Sequence, residues 1–288
     1  MSITFGSLFA GAGIIMEGGN IMLTFGSLFA GIGGFDLGLE RAGMKCKWQV
    51  EIDEHCRRVL TKHWPDVPRW DDVRTFPPGP VDEWQVDLIC GGDPCPKHSN
   101  ARRGQASRHP DLSGYFLALV GRLRPRWVVR ENVPSPTVEH FDAAMEALGY
   151  GTIVVEADAA DFTRQQRCRW FVVGLLGRPW PELVTRFGSC EVGGENRTPR
   201  LAMAPKIACL TTHRTRNNTD DNYVWDGQRF RRLSANERER FSGFPVDWTA
   251  GASEAMRARM CGNAVVPQVA QWIGQRIVET DAIGPAGQ

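Results

Sequence analysis

The sequence predicts an α/β fold built on a mostly parallel sheet, and three observations support this prediction. A strand, a Gly-rich turn, a helix and a second strand follow one another between residues 22 and 51. Two later apolar runs, Val86–Cys90 and Trp127–Val129, are typical of buried parallel strands. Polar residues follow each of these strands, at the edge where open parallel sheets bind ligands. We therefore expect one ligand-binding cleft at that edge.

One phrase opens the chain twice, as ITFGSLFAGAG at residues 3–13 and as LTFGSLFAGIG at residues 23–33. The second copy runs into an apolar pattern with helical spacing that ends at Gly43, and then into a strand. The first copy runs into IIMEGGNIM, which has no helix of useful length. We therefore predict that the second copy forms the first strand of the sheet and that residues 1–21 are a duplicated N-terminal leader.

The turn of the second copy contains Gly31, Gly33 and Gly34, which let the backbone approach a ligand at the start of a helix. Glu51 lies 20 positions beyond Gly31, a spacing at which an acidic side chain reaches ribose hydroxyls in such folds. Asp36 replaces the last glycine of the dinucleotide pattern GxGxxG, which disfavours a nicotinamide oxidoreductase. A purely structural strand-to-helix turn is the alternative interpretation.

The composition is that of a globular protein of 288 residues, with 42% apolar and 23% charged residues. No apolar run approaches the length of a membrane span, and the N-terminus lacks the pattern of a secretory signal, so we expect a cytoplasmic protein that does not bind membranes. The eight cysteines show no paired CxxC spacing, which predicts reduced thiols and no metal site.

The formal net charge of +1 hides a local excess of basic residues. Between Lys97 and Arg130 the only acidic residue is Asp111, and a second Arg-rich stretch runs from Arg164 to Arg240. Such stretches suit the phosphate backbone of a nucleic acid. Ordinary solvated surface explains the charge pattern equally well when it is taken alone.

Seven segments appear in a definite order: FAGIGGFDLGLERAG, WDDV, GGDPCPKHS, ENV, QQRCR, RRLSANERERFSGFP and GNAVVP. In this order they resemble the motifs of the cytosine-5 DNA methyltransferase family, which methylates a cytosine flipped out of duplex DNA. The resemblance implies a Rossmann-like S-adenosylmethionine-dependent methyltransferase fold, with a mostly parallel mixed sheet and a small target-recognition region. It also implies S-adenosylhomocysteine as a product, and a monomer that acts on duplex DNA in a bacterial or phage-infected cytosol.

The same resemblance divides the chain beyond the leader into three parts. Residues 22–177 form the catalytic and cofactor-binding domain, residues 178–232 a short target-recognition region, and residues 233–288 a C-terminal part that returns to the catalytic domain. Cofactor contacts fall on Phe29, Gly31, Gly33, Gly34, Glu51, Ile52, Asp72, Asn263 and Val265. Glu51 would bind the ribose and Asp72 the adenine amino group. Substrate contacts fall on Ser99, Asn132, Thr211 and Thr212.

The chemistry explains why the family needs its catalytic residues, which match Cys95, Glu131, Arg167 and Arg169 here. Carbon 5 of cytosine is a poor nucleophile until a thiolate, here that of Cys95, adds to carbon 6 and makes carbon 5 enamine-like. Glu131 would hydrogen-bond ring nitrogen 3 and the exocyclic amine, while the two arginines hold the base and the neighbouring phosphate. The base must leave the duplex stack before this reaction.

Two residues beside Cys95 depart from the family pattern GGPPCQ, because Asp93 replaces the first proline and Pro96 the glutamine. A carboxylate near a thiol ordinarily raises the thiol pKa, which works against a nucleophile. We expect unchanged chemistry with an altered catalytic loop. A catalytically silent DNA-binding relative is one alternative, and an RNA cytosine-5 methyltransferase of the same fold is another.

The target-recognition region is short, since only about sixty residues separate Arg169 from Arg231. Part of that span must complete the sheet, which leaves little chain for reading bases. We therefore predict a recognition sequence of about two to four base pairs, read in the major groove by the loop around Thr211 and Thr212.

Overall fold

The computed structural model describes residues 14–15, 21–94, 111–177, 183, 187, 209–210 and 223–282. The strands are β1 (Ile14–Ile15), β2 (Ile21–Met22), β3 (Thr24–Leu28), β4 (Lys45–Val50), β5 (Arg69–Trp70), β6 (Leu88–Gly91), β7 (Trp127–Asn132), β8 (Tyr150–Asp158), β9 (Cys168–Leu176), β10 (Tyr223–Trp225) and β11 (Phe230–Arg232). The helices are α1 (Gly34–Arg41), α2 (Glu54–His63), α3 (Ser113–Leu123), α4 (Pro136–Ala147), α5 (Ala235–Phe241), α6 (Glu254–Asn263) and α7 (Pro267–Ala282).

The main sheet has seven strands in the order β5-β4-β3-β6-β7-β9-β8. The first five strands of this order run parallel, and β9 runs antiparallel to both β7 and β8. This arrangement confirms the predicted mostly parallel mixed α/β sheet. The carboxyl ends of β3, β4, β6 and β7 and the start of β9 therefore meet at one edge.

The second copy of the duplicated phrase supplies β3, which lies between β4 and β6 in the middle of the sheet. All five residues of β3 are buried, as expected for a strand covered on both faces. Residues 3–13, the first copy, lie outside the described residues. After that copy in the sequence, β1 and β2 pair antiparallel in a separate two-stranded sheet.

Helices cover both faces of the sheet because neighbouring strand residues point to opposite sides. Phe25 and Trp127 belong to the cluster that also contains Leu39 of α1 and Ile273 of α7. On the other face, the cluster around Val128 contains side chains of α3 and α4. The C-terminal helix α7 thus packs against α1, the helix that follows the Gly-rich turn. Within the described ranges, no helix combines the length and apolarity needed to cross a membrane.

Helix α5 begins with a capping box, in which Ser234 and Glu237 each bind the other's backbone N–H. Its Glu239 is fully buried and accepts hydrogen bonds from the N–H and hydroxyl of Thr249, at 2.9 and 2.5 Å. Arg257 of α6 donates to the same oxygen at 2.8 Å. The segment RRLSANERERFSGFP therefore helps to hold α5 against α6 beside the last motif.

Candidate active site

The chain turns sharply after β3, with residues in the left-handed region of the backbone. Phe29 has a φ of 52°, Gly31 of 57° and Gly33 of 83°. A Cβ at Gly31 would meet no atom within 4 Å, so space is open beside this part of the turn. The turn thus offers accessible backbone at the carboxyl end of the central strand, as its sequence predicts.

The last motif lies directly against this turn. A Cβ at Gly34 would come within 2.1 Å of the Val265 carbonyl oxygen, so only glycine permits this approach. Val265 is half-buried, whereas Asn263, the last residue of α6, is exposed. The structure therefore brings together two segments that are more than two hundred residues apart and that both contain predicted cofactor residues.

Glu51 and Ile52 follow β4 at the same edge. One carboxylate oxygen of Glu51 accepts a hydrogen bond from the Gly31 N–H and the other from the Asp53 N–H, each at 2.7 Å. Burial raises the pKa of the Glu51 carboxyl. Ile52 is 64% exposed, so its apolar side chain is accessible beside that carboxylate. The pair combines an anchored acid with a free apolar surface.

Asp72 lies beyond the short edge strand β5. Its carboxylate binds Arg74 through two side-chain nitrogens, with the Nη2–Oδ2 distance at 2.5 Å. These hydrogen bonds from Arg74 lower the pKa of Asp72, which also caps a 3-10 turn by accepting from the Arg74 N–H. Asp72 therefore places a negative charge just beyond β5, the strand at one edge of the sheet.

Glu131 and Arg169 form an ion pair at the centre of this edge. The Arg169 Nε lies 3.0 Å from Glu131 Oε1, since the start of β9 pairs with the end of β7. Both side chains are largely shielded from solvent. They line a small cavity whose other walls include Ala157, Arg167, Phe171, Val265 and Val266. Three predicted catalytic side chains and a predicted cofactor residue thus share one cavity.

Arg167 also lines this cavity, but its guanidinium is hydrogen-bonded to the backbone of the last motif. Its Nη1 donates to the Gly262 carbonyl at 2.9 Å, and burial lowers the pKa of its guanidinium. Arg167 therefore links the start of β9 to the last motif, a contact that the spacing of QQRCR did not predict. Its side chain supports the cavity wall, whereas Arg169 contacts the carboxylate of Glu131.

The loop that contains the predicted nucleophile begins in the same place. Cys95 and Ser99 lie outside the described residues, as do Thr211 and Thr212, so their predicted roles stay predictions. In this segment the described residues end at Pro94, directly after the buried Asp93. The carboxylate of Asp93 binds Arg130, with Nε–Oδ1 at 2.5 Å and Nη2–Oδ2 at 2.9 Å.

Sequence reasoning missed two supporting groups, Arg130 and Asp36. Asp36 is fully buried beneath the Gly-rich turn and accepts hydrogen bonds from Ser27 at 3.0 Å and Gln49 at 2.7 Å. Burial raises its pKa. Two features of the sequence could have indicated these groups. Arg130 directly follows the apolar residues of VVREN, and Asp36 is an acid within the glycine motif. A charged residue at a position that is expected to be buried requires a partner, and this would have prompted a search for one.

Comparison with known proteins places this chain in a family. A family model described as C-5 cytosine-specific DNA methylase matches residues 23–183 and 181–279. The Type II methyltransferase M2.BsuMI of Bacillus subtilis (strain 168) is 24% identical over 295 residues, covering 85% of this chain and 73% of that protein. The Type II methyltransferase M.NgoMIV of Neisseria gonorrhoeae is 28% identical, covering 86% and 94%.

A solved structure of DNMT2 from Spodoptera frugiperda has a TM-score of 0.68 with this chain at 14% identity, covering 88% of this chain and 99% of that one. At such low identity this likeness shows a shared fold. The family model, by contrast, spans most of the chain, including the glycine turn, the Glu131 strand and the last motif, and it confirms the predicted family. The chain belongs to the C-5 cytosine-specific DNA methylase family.

Proposed function

We propose that this protein transfers a methyl group from S-adenosylmethionine to carbon 5 of a flipped cytosine in a short duplex DNA sequence, through a covalent adduct with Cys95. Membership of the family supports DNA cytosine-5 methylation. The main structural support is the Glu131–Arg169 pair, which lines one cavity with Val265, next to the Gly-rich turn. A carboxylate for the base thus adjoins the expected cofactor site.

The residues beyond β3, β4 and β5 fit S-adenosylmethionine, which would supply the methyl group on a sulfonium centre. Gly31 leaves open space, Glu51 is positioned to accept from ribose hydroxyls, and Ile52 offers an exposed apolar surface to the adenine ring. Asp72 would accept from the adenine amino group. Gly34 lets Val265 close the pocket from the other side.

Glu131 and Arg169 would handle the base. Arg169 fixes one oxygen of Glu131, which leaves the other oxygen for ring nitrogen 3 and the exocyclic amine. A proton supplied by Glu131 to nitrogen 3 neutralises the negative charge that develops on the ring when carbon 6 is attacked, and it returns to Glu131 when the ring double bond is restored. Arg167, held by the Gly262 carbonyl, keeps the cavity wall in place.

Cys95 would provide the nucleophile. Its thiolate forms a bond to carbon 6, and the ring electrons move to carbon 5, which then accepts the methyl group. Water or hydroxide next removes the proton from carbon 5. The carbon–sulfur bond breaks as the ring double bond returns, which releases methylcytosine and the free thiolate. The cytosine must be extruded from the duplex for these steps.

The choice between DNA and RNA is tested by offering duplex DNA and tRNA in parallel with cofactor labelled in its methyl group. We expect label in the duplex DNA. We also expect the protein to be a monomer in solution, because one subunit contains the whole proposed site. Label that appears in tRNA alone would contradict the proposed substrate.

A chain that starts at Met22 is expected to keep its fold and its cofactor affinity. The reason is that β3, the strand between β4 and β6, comes from the second copy of the duplicated phrase. Thermal unfolding and equilibrium dialysis with labelled S-adenosylmethionine would compare this chain with the full one. A shortened chain that no longer folds or binds would show that the first copy is needed.

The recognition sequence is expected to span about two to four base pairs. Only about sixty residues separate Arg169 from Arg231, so little of the chain is available for direct reading of base edges. Among the described residues, the hairpin β10–β11 presents Trp225 and Phe230, 58% and 72% exposed, beside several arginines. Aromatic and basic side chains of this kind suit contact with nucleic acid. Base-resolution mapping of methylcytosine in treated plasmid DNA tests the prediction, and a six-base consensus would contradict it.

A further inference from the structure

A buried ion pair lies at the base of the nucleophile's loop. The side chains of Arg130 and Asp93 are only 1% and 3% exposed, and two hydrogen bonds join them in a fork. Asp93 stands two positions before Cys95, and Arg130 directly precedes Glu131. The pair therefore connects the two segments that contain the proposed nucleophile and the proposed carboxylate.

Strand β7 uses both of its faces in this connection. Arg130 and Asn132 are two positions apart and point to the same face. Asn132 Nδ2 lies 3.4 Å from the Asp93 carbonyl oxygen, so both the side chain and the backbone of Asp93 are held there. Glu131 points to the other face, where a Cβ at Gly92 would come within 2.8 Å of its Oε2.

Residues of α4 also hold Arg130 in place. Its guanidinium carbon lies 4.4 Å from the centre of the Phe141 ring of α4, and its Nη1 donates to the Thr137 carbonyl at 3.4 Å. A bidentate contact between an arginine and a carboxylate fixes direction as well as distance. The position of Asp93 is therefore set by a side chain that has little freedom to move.

Such a pair is a poor means of stabilising a fold. Removing two charges from water is costly, and apolar side chains of similar size often serve as well or better. The family pattern that GGDPC resembles has proline in place of Asp93, so the chemistry itself does not require an acid there. What the pair positions is therefore a better explanation for it than the stability of the fold.

We propose that the Asp93–Arg130 ion pair is a positioning pair that sets where the Cys95 loop leaves the sheet relative to Glu131. Arg130 also pairs with the negative charge of the carboxylate that stands two positions before the thiol in the sequence. The proposal rests on the proposed function. It assigns to Asp93 a supporting role in the addition step, which agrees with the expected unchanged chemistry and argues against the alternative of a catalytically silent relative.

The test measures the rate at which the full chain forms a covalent adduct with duplex DNA containing 5-fluorocytosine, in a single turnover with saturating S-adenosylmethionine. Asp93→Asn removes the charge and Arg130→Lys removes the fork while keeping the charge. Each variant is expected to react about 10²-fold more slowly, the loss that a small misplacement of a reacting group causes. Each variant should unfold at a lower temperature than the unaltered protein, because it breaks a buried ion pair. Adduct rates are therefore compared at a temperature at which each variant is still folded, where cofactor affinity should stay close to that of the unaltered protein.

Arg126→Lys provides the matched control, because Arg126 directly precedes β7 and pairs with Asp281 at a more exposed position, 2.9 Å away. This variant should react at the unaltered rate. The combined Asp93→Asn/Arg130→Lys variant should be no slower than the slower single variant, since groups that act as one unit are not additive.

Three results would overturn the proposal: single variants that react at the unaltered rate, losses that add in the combined variant, or an equal loss of cofactor affinity and adduct rate. The last result would show that the pair supports the whole fold. If the unaltered protein forms no adduct although it binds cofactor and duplex DNA, the proposed function itself fails. The two kinds of failure are thus distinguishable.

Discussion

Replacing Cys95 with serine is expected to slow methyl transfer to duplex DNA by roughly 10⁴–10⁶-fold, the range in which removal of an enzyme's nucleophile falls. A serine hydroxyl is far less ionised than a thiol near neutral pH, so it cannot add readily to carbon 6. Without that addition, carbon 5 stays part of an aromatic ring and accepts no methyl group. Transfer of labelled methyl groups to DNA measures the loss.

Cys168→Ser is the matched control for this prediction. Cys168 lies at the start of β9, and its thiol contacts Glu156, which a serine hydroxyl would also reach. This variant should keep most of its activity, and both variants should bind S-adenosylmethionine normally. Substantial methylation by Cys95→Ser would contradict the proposed covalent mechanism.

Glu131→Gln is expected to lower kcat by about 10²–10⁴-fold, the usual contribution of a positioned acid or base. Glutamine keeps the size of the side chain and still accepts a hydrogen bond from Arg169, but it cannot supply a proton to ring nitrogen 3. The KM for DNA should change little, because the interaction strengthens only as charge develops on the ring. Steady-state kinetics with a duplex substrate separate these two effects.

Glu139→Gln serves as the control, since Glu139 is exposed in the first turn of α4 and does not line the cavity. Its kinetic constants should match those of the unaltered protein. A Glu131→Gln variant whose kcat is unchanged, with only its KM raised, would assign Glu131 to DNA binding alone.

Much of the sheet was predictable, because apolar runs and glycines have direct physical consequences. The apolar run before Gly31, which ends in a Gly-rich turn, favours a buried strand. The position of Glu51 follows from a strand that ends where a parallel sheet binds ligands. The same reasoning placed Glu131 at the end of β7. It also chose the second copy of the opening phrase, since only that copy is followed by a helix and a second strand.

The contacts between distant segments were not predictable in the same way. An apolar run does not reveal its direction, so nothing in CRWFVVGLL shows that β9 runs antiparallel between β7 and β8. That reversal brings Arg169 to Glu131. The spacing of QQRCR also leaves open which arginine faces the base and which, as Arg167 does, binds the Gly262 carbonyl.

Asp93 shows most clearly where single-sequence reasoning ends. Its charge near a thiol argues against catalysis when only neighbours in sequence are considered. The structure supplies the missing partner, because Arg130, 37 positions away, lies within hydrogen-bond distance of both carboxylate oxygens. The effect of a charge depends on its nearest partner in space, and that partner is set by the pairing of β6 with β7.

The most direct test of the proposed mechanism is mass spectrometry of the protein after reaction with duplex DNA that contains 5-fluorocytosine at the methylated site. Fluorine at carbon 5 blocks the final elimination, so the sulfur–carbon bond should persist. We expect a protein–DNA adduct that includes the transferred methyl group and maps to the peptide containing Cys95. DNA methylation without any trapped adduct, or an adduct that maps to another cysteine, would contradict it.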